Sequence, residues 1–153
     1  MKLSEIVPVD HIVPELNATN RWEAIDELVD TLVANGAIDA EARDSIVDLV
    51  KKRESSMSTG IGFGIGIPHA STDQIDEVVG AFGRSKEGLS FEALDNQPVT
   101  LVVLFLVPKG QFQKHLNTLA NIAKQLHKKD FRAALEGAPD AAAIREIICH
   151  SSQ

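Results

Sequence analysis

The chain has 153 residues, 44% of them hydrophobic, enough for one domain with a substantial core. Against 22 acidic residues stand 15 basic ones, and the net charge of −7 argues against nucleic acid as a partner while permitting attraction to a basic protein. The single cysteine, Cys149, excludes an intramolecular disulfide and fits a reducing compartment, and no apolar run is long enough to span a bilayer, so the expected location is the cytoplasm without membrane insertion.

The N-terminus, Met1-Lys2-Leu3-Ser4-Glu5, leads into no signal-peptide core, and residues 3–16 read as a short lead-in with strand-like pieces. Thr19 or Asn20 can cap a first helix, with Glu23 three residues past Asn20 as in a capping box. Trp22, Ile25, Leu28, Val29, Leu32 and Val33 recur at helical spacing, and Gly36 ends the segment. Asp39 can cap a second helix whose apolar face is Ala42, Ile46, Leu49 and Val50. It closes on Lys51-Lys52-Arg53, cations suited to a helix C-terminus. Residues 60–67 then alternate glycine with Ile or Phe, the period of a strand, which puts Ile61, Phe63, Ile65 and Ile67 on one face. The glycine face is nearly bare and open to close approach by a backbone or a partner. Pro68 lacks a ladder donor, so pairing should stop there and deliver His69 on a turn. Residues 78–82 and 99–107 read as further strands, the second a buried central one. Leu116, Leu119, Ala120, Ala123 and Leu126 stripe a third helix, residues 131–135 continue in a shorter one, and 141–148 form the last, with Pro139 near its start. No repeat, low-complexity tract or linker divides the chain, so residues 1–153 are read as a single α/β layer domain.

Three ordered blocks carry a resemblance. Gly60-Ile61-Gly62-Phe63-Gly64-Ile65-Gly66-Ile67-Pro68-His69 resembles the active-site strand of the fructose/mannitol-type and nitrogen-regulatory enzyme IIA domains of the bacterial phosphotransferase system. Arg53-Glu54-Ser55-Ser56-Met57-Ser58-Thr59-Gly60 is similar to that family's lead-in. Pro98-Val99, the apolar run to Pro108, and then His115-Leu116 are similar to its later block. The resemblance covers essentially the whole chain. It implies a mixed β-sheet flanked by helices on both sides, with no cofactor and no metal. It also implies a phosphocarrier that accepts a phosphoryl group from HPr or an HPr-like protein and passes it to a cognate enzyme IIB in sugar uptake. In the nitrogen-type branch the phosphorylation state instead controls binding to a regulatory target protein. The residues do not separate the two branches.

His69 is the expected phosphoryl acceptor, because a neutral imidazole, with an unperturbed pKa of ~6.5, is nucleophilic at cellular pH. The resemblance makes His115 the second active-site histidine, orienting His69 or binding its phosphoryl group. At a helix N-terminus a cation is disfavoured, so His115 should stay neutral. Arg53 can bind two phosphate oxygens at once if it returns to the site; its other reading is a helix-end cation touching only the dipole. Thr59, Ser58 and Ser71 are candidate phosphate contacts, although Ser58 reads better as a turn residue. The chain departs from the family after the histidine: Ala70-Ser71-Thr72 holds no lysine or arginine. Gly66 also stands where the family more often has alanine. His11, His127 and His150 match no family role, and the adjacent Cys149-His150 make a poor zinc site. A competing chemistry, metal-dependent hydrolysis by His69 and His115, lacks a carboxylate at ligand spacing, Asp73 being the nearest candidate. The expected site is a shallow apolar surface, since its substrate is another protein.

Overall fold

The computed structural model describes residues 2–56, 58–91, 93 and 95–151. Met57 of the lead-in, and Met1, Ser152 and Gln153 of the 1–153 span, lie outside the described residues. The elements are α1 (Leu3–Ile6), β1 (Ile12–Val13), α2 (Arg21–Ala34), α3 (Arg43–Ser56), β2 (Gly60–Gly62), β3 (Ile65–Gly66), β4 (His69–Thr72), β5 (Val79–Leu89), β6 (Val99–Pro108), α4 (Leu116–Leu126), α5 (Lys129–Gly137) and α6 (Ala141–Ser151). Short 3-10 turns at Val9–His11, Ala40–Ala42 and Gln113–His115 punctuate them.

The sheet is organised around β6. On one side β5 runs antiparallel to it; on the other β3 and then β4 run parallel to it. β1 extends the sheet beyond β5, and β2 beyond β3. A strand covered on both faces reads as a continuous apolar run, and β6 does so. Its Val102, Leu104 and Leu106 pack with α2 and α3, while Leu101, Val103, Phe105 and Val107 pack with α1 and α4–α6. Two apolar cores therefore sandwich one mixed sheet, with helices on both faces as expected. Arg84 of β5, 2% exposed, ties the sheet to the loops around it: its guanidinium donates to Pro14 O (2.9 Å), Leu135 O (2.8 Å) and Ala138 O.

Several local expectations change. The lead-in holds a helical turn and a 3-10 turn, and only Ile12–Val13 is strand. Asn20 caps α2 by accepting from Glu23 N (2.9 Å), and the Glu23 carboxylate accepts from both Thr19 N and Thr19 Oγ1 (2.9 Å each). Asp39 makes no side-chain cap; it precedes a 3-10 turn, and α3 continues past Arg53 to Ser56. The buried stripe of α3 is Ile46, Val47, Val50 and Glu54, which leaves Leu49 38% exposed. β5 runs to Leu89 rather than ending at Phe82. On α4 Ile122 is buried, whereas Leu116 is exposed.

The largest correction concerns residues 60–67. They are not one strand but a hairpin, with Gly62 paired to Ile65 across a two-residue turn of Phe63 and Gly64. Gly62, Phe63 and Gly64 all have positive φ, +93°, +59° and +79°. Two consecutive left-handed residues make the turn whose twist matches a hairpin, and that is where glycine is needed. Phe63 therefore sits 63% exposed at the tip instead of joining Ile65 and Ile67 in the core. The bare glycine face is also not left for a partner. A Cβ on Gly60 would lie 2.6 Å from Ala93 Cβ, and one on Gly66 would lie 2.6 Å from the Phe91 ring. The chain's own Phe91 and Ala93 fill that space.

Candidate active site

Pro68 breaks the ladder, yet its carbonyl accepts from Phe105 N (3.0 Å), and pairing resumes at once with His69 opposite Phe105. His69 thus opens β4 rather than sitting on a turn after a strand. It is 7% exposed, more enclosed than a turn position would make it. Strand alternation then leaves Ser71 pointing outward while Ala70 and Thr72 are buried.

The His69 ring is held in two ways. Nδ1 lies 2.8 Å from Ile67 O. A carbonyl can only accept, so Nδ1 carries the hydrogen and Nε2 keeps its lone pair. The ring of Phe112 makes an offset stack with the imidazole, with centroids 5.7 Å apart and planes 11° from parallel. Burial pushes the His69 pKa below its usual value; the Ile67 carbonyl opposes this, and the Arg53 cation adds to the lowering. His69 is neutral at pH 7, as a nucleophile must be.

His69 opens into a cleft of about 320 Å³ lined by Leu49, Lys52, Arg53, Ala70, Ser71 and Phe112 besides His69 itself. Positions 49, 52 and 53 fall at i, i+3 and i+4, so one face of α3 supplies three of these residues. No carboxylate lines the cleft. Lys51 is tied to Asp26 (3.0 Å), and Lys52 and Arg53 have no carboxylate partner among the described residues. The arrangement offers one neutral imidazole nitrogen, two cations and a hydroxyl, which suits a phosphoryl group on His69.

The other predicted residues are placed differently. Thr59 is 6% exposed, and its N–H (2.7 Å) and its hydroxyl both donate to the buried carboxylate of Glu54, which also accepts from Arg21 (3.1 Å). Ser58 is a turn residue: its Oγ donates to Phe91 O (2.8 Å) and accepts from Gly60 N (3.1 Å). His115 does not line the cleft. It is 8% exposed at the start of α4, its N–H donates to Phe112 O (3.0 Å), and its Nδ1 is 3.4 Å from Thr118 Oγ1. Burial, and then the Lys114 cation, lower its pKa, so it too is neutral at pH 7. Among the described residues no three His, Cys, Asp or Glu side chains gather as a ligand set.

The residues that sequence reasoning missed are Leu49, Lys52 and Phe112. The spacing assigns Leu49 to the core, because the apolar stripe of α3 is broad enough to be read one position off. Lys52 reads from sequence as a helix-end cation and nothing more. Phe112 lies between β6 and α4, where no periodic signal marks it.

Residues 5–151 match the family model described as phosphoenolpyruvate-dependent sugar phosphotransferase system, EIIA 2. The chain is 36% identical over 146 residues to the PTS system fructose-specific EIIA component of Haloferax volcanii, covering 95% of this chain and 94% of that one. It is 30% identical over 148 residues to a nitrogen regulatory protein of Bradyrhizobium diazoefficiens, covering 97% and 95%. The crystal structure of the nitrogen regulatory protein IIA-Ntr from Neisseria meningitidis aligns with a TM-score of 0.85 at 29% identity, covering 95% of this chain and 98% of that one. Among the described residues no helix is long and apolar enough to cross a membrane.

Proposed function

The chain belongs to the EIIA 2 family of the phosphoenolpyruvate-dependent sugar phosphotransferase system, and from that membership we propose that it is a cytoplasmic phosphocarrier of one domain whose His69 accepts and releases a phosphoryl group. The donor is phosphorylated HPr or an HPr-like protein, and the acceptor is a cognate enzyme IIB. The observation that carries this reading is the hydrogen bond from His69 Nδ1–H to Ile67 O, made inside a cleft that also holds two cations.

That hydrogen bond assigns the chemistry to one atom. The lone pair on Nε2 forms the new N–P bond while the donor's N–P bond breaks, and the donor imidazole leaves with its electron pair. The Nδ1 proton stays in place against the carbonyl, which stabilises the positive charge that develops on the ring. Onward transfer reverses these changes, and the ring returns to its neutral form with Nδ1–H still bonded. Arg53 and Lys52 approach the three phosphoryl oxygens from α3, and Ser71 adds a hydroxyl donor from β4. Two exposed cations at an open cleft favour binding without burying the dianion, so the group can leave again. His115 acts next to this site through the turn it shares with Phe112, orienting His69 or meeting the phosphoryl group once it is present. Thr59 and Ser58 act through the loop they hold rather than through the phosphate.

The test is incubation with phosphorylated HPr followed by site mapping. The expected product is a single acid-labile, base-stable phosphate on His69, absent from His69→Ala. Robust labelling of that variant would sink the assignment. A second reading has its own support in the likeness to the nitrogen regulatory structure. In it the same phosphorylation sets binding to a target protein and no IIB is served. Transfer from phospho-His69 to a IIB purified from the same organism decides for transport, and its absence decides for regulation.

A further inference from the structure

We propose that Phe112 is a positioning residue for the acceptor: its ring, in an offset stack with His69, fixes the plane of the imidazole, so that Nε2 meets the phosphoryl donor from the cleft. The inference rests on the reading of His69 as acceptor.

A single hydrogen bond does not hold an imidazole still, because the ring can pivot about the Nδ1–H···O axis. The stacked ring at 5.7 Å and 11° removes that freedom. Phosphoryl transfer depends mostly on in-line positioning of the nucleophile, so a fixed plane bears directly on rate. Phe112 is not spent on the core as an ordinary buried aromatic would be. It is partly buried, packs against one apolar cluster, and stacks on a polar ring. Its backbone is anchored, since Phe112 O accepts from His115 N at 3.0 Å. The imidazole becomes cationic as the Nε2–P bond forms. The charged groups facing the imidazole are Lys52 and Arg53 from α3, both positive. Both oppose positive charge on the ring, and the Ile67 carbonyl on Nδ1–H is the group that favours it, so a fixed ring plane preserves that support.

Phosphoramidate serves as the test donor, because it needs no partner protein. The Nε2–P bond forms, the P–N bond of phosphoramidate breaks, ammonia leaves, and Nδ1 keeps its proton. Phe112→Tyr keeps the ring, Phe112→Leu keeps apolar bulk without it, and Phe112→Ala removes both. Labelling should be slower than wild type by roughly 2- to 10-fold in the Leu and Ala variants and close to wild type in the Tyr variant. Phospho-His69 should hydrolyse faster in the Leu and Ala variants. In the unphosphorylated protein, NMR should show faster water exchange of the His69 Nδ1–H in both. If Phe112→Ala does not fold, Phe112→Leu carries the comparison. Lower melting temperatures with unchanged ring signals and rates would make Phe112 a packing residue and overturn its positioning role alone. Failure of wild-type protein to be labelled on His69 would instead overturn the acceptor reading, and this inference with it.

Discussion

An imidazole with a lowered pKa stays nucleophilic in mildly acidic solution, where free histidine does not. Burial and Arg53 give His69 that property. Free imidazole loses half its reactive form at pH ~6.5. His69 labelling by phosphoramidate should hold its rate through that pH and fall only below it, with free imidazole and the same donor as the reference. A midpoint at or above that of the free imidazole would show that the site does not keep the ring neutral. Stability follows with a definite sign. The folded pKa lies below the unfolded one, so in the interval between them the unfolded chain binds more protons. Stability is fully present above pH ~6.5 and is lost as the pH falls toward the folded value. His115 carries the same sign. His69→Gln should therefore lose less of its melting temperature between pH ~7.5 and ~5 than wild type does. At Arg53 the two roles separate by substitution. A phosphate fork makes Arg53→Lys and Arg53→Ala slow in transfer with melting unchanged. A helix-end cation makes Arg53→Lys fully adequate, with a loss of about 0.3–1 kcal/mol in the alanine variant.

The β2–β3 hairpin shows how one element can hold glycines for different reasons. Gly66 is small because Phe91 lies on it, so Gly66→Ala must displace an aromatic ring 2.6 Å away. Overpacking of this kind destabilises by about 1–3 kcal/mol, readable as a lower urea midpoint at an unchanged slope. Phe63 is the opposite case. Its left-handed backbone costs roughly 1–2 kcal/mol, offset in part by Arg132 over its ring at 4.9 Å and by an edge contact with His127 at 5.3 Å. Phe63→Gly should leave stability unchanged or raise it despite deleting the largest side chain of the hairpin. A loss of more than about 1 kcal/mol, the scale of a packing defect, would show that the ring contacts outweigh the strain. The alternation of glycine with apolar residues is visible in the chain, but alternation alone cannot tell a continuous strand from a hairpin that folds back on itself. The difference lies in φ at residues 62–64, and glycine accepts either sign.

At the scale of the whole molecule, Arg84 joins the sheet to backbone carbonyls from two distant segments. Replacement by methionine preserves bulk but leaves buried acceptors unpaired, at about 1–3 kcal/mol for each one that water cannot reach. Arg84→Lys recovers only part of the loss, because an ammonium cannot span the same acceptors as the guanidinium fork. Chemical denaturation of both variants checks this, and wild-type stability of Arg84→Met would refute it. The sequence by itself determined the elements whose signals are local: the Asn20–Glu23 cap, the stop at Gly36, the apolar run of β6, and the ordered blocks ending in Pro68-His69 and His115-Leu116. From those blocks followed the family, the layered mixed sheet, and the choice of His69, Arg53 and His115. Only the tertiary structure decided that Arg53 and Ser71 share a cleft with His69, that Thr59 belongs to Glu54, that Phe91 fills the glycine face, and that Phe112 stacks beside the imidazole. Each of these joins residues that no helical or strand period connects: the seating of α3 against β4 brings Arg53 to His69, and the pairing of β3 with β6 beside β5 brings Gly66 to Phe91. Periodicity shows which side of an element is apolar; it does not show which neighbour that side will meet.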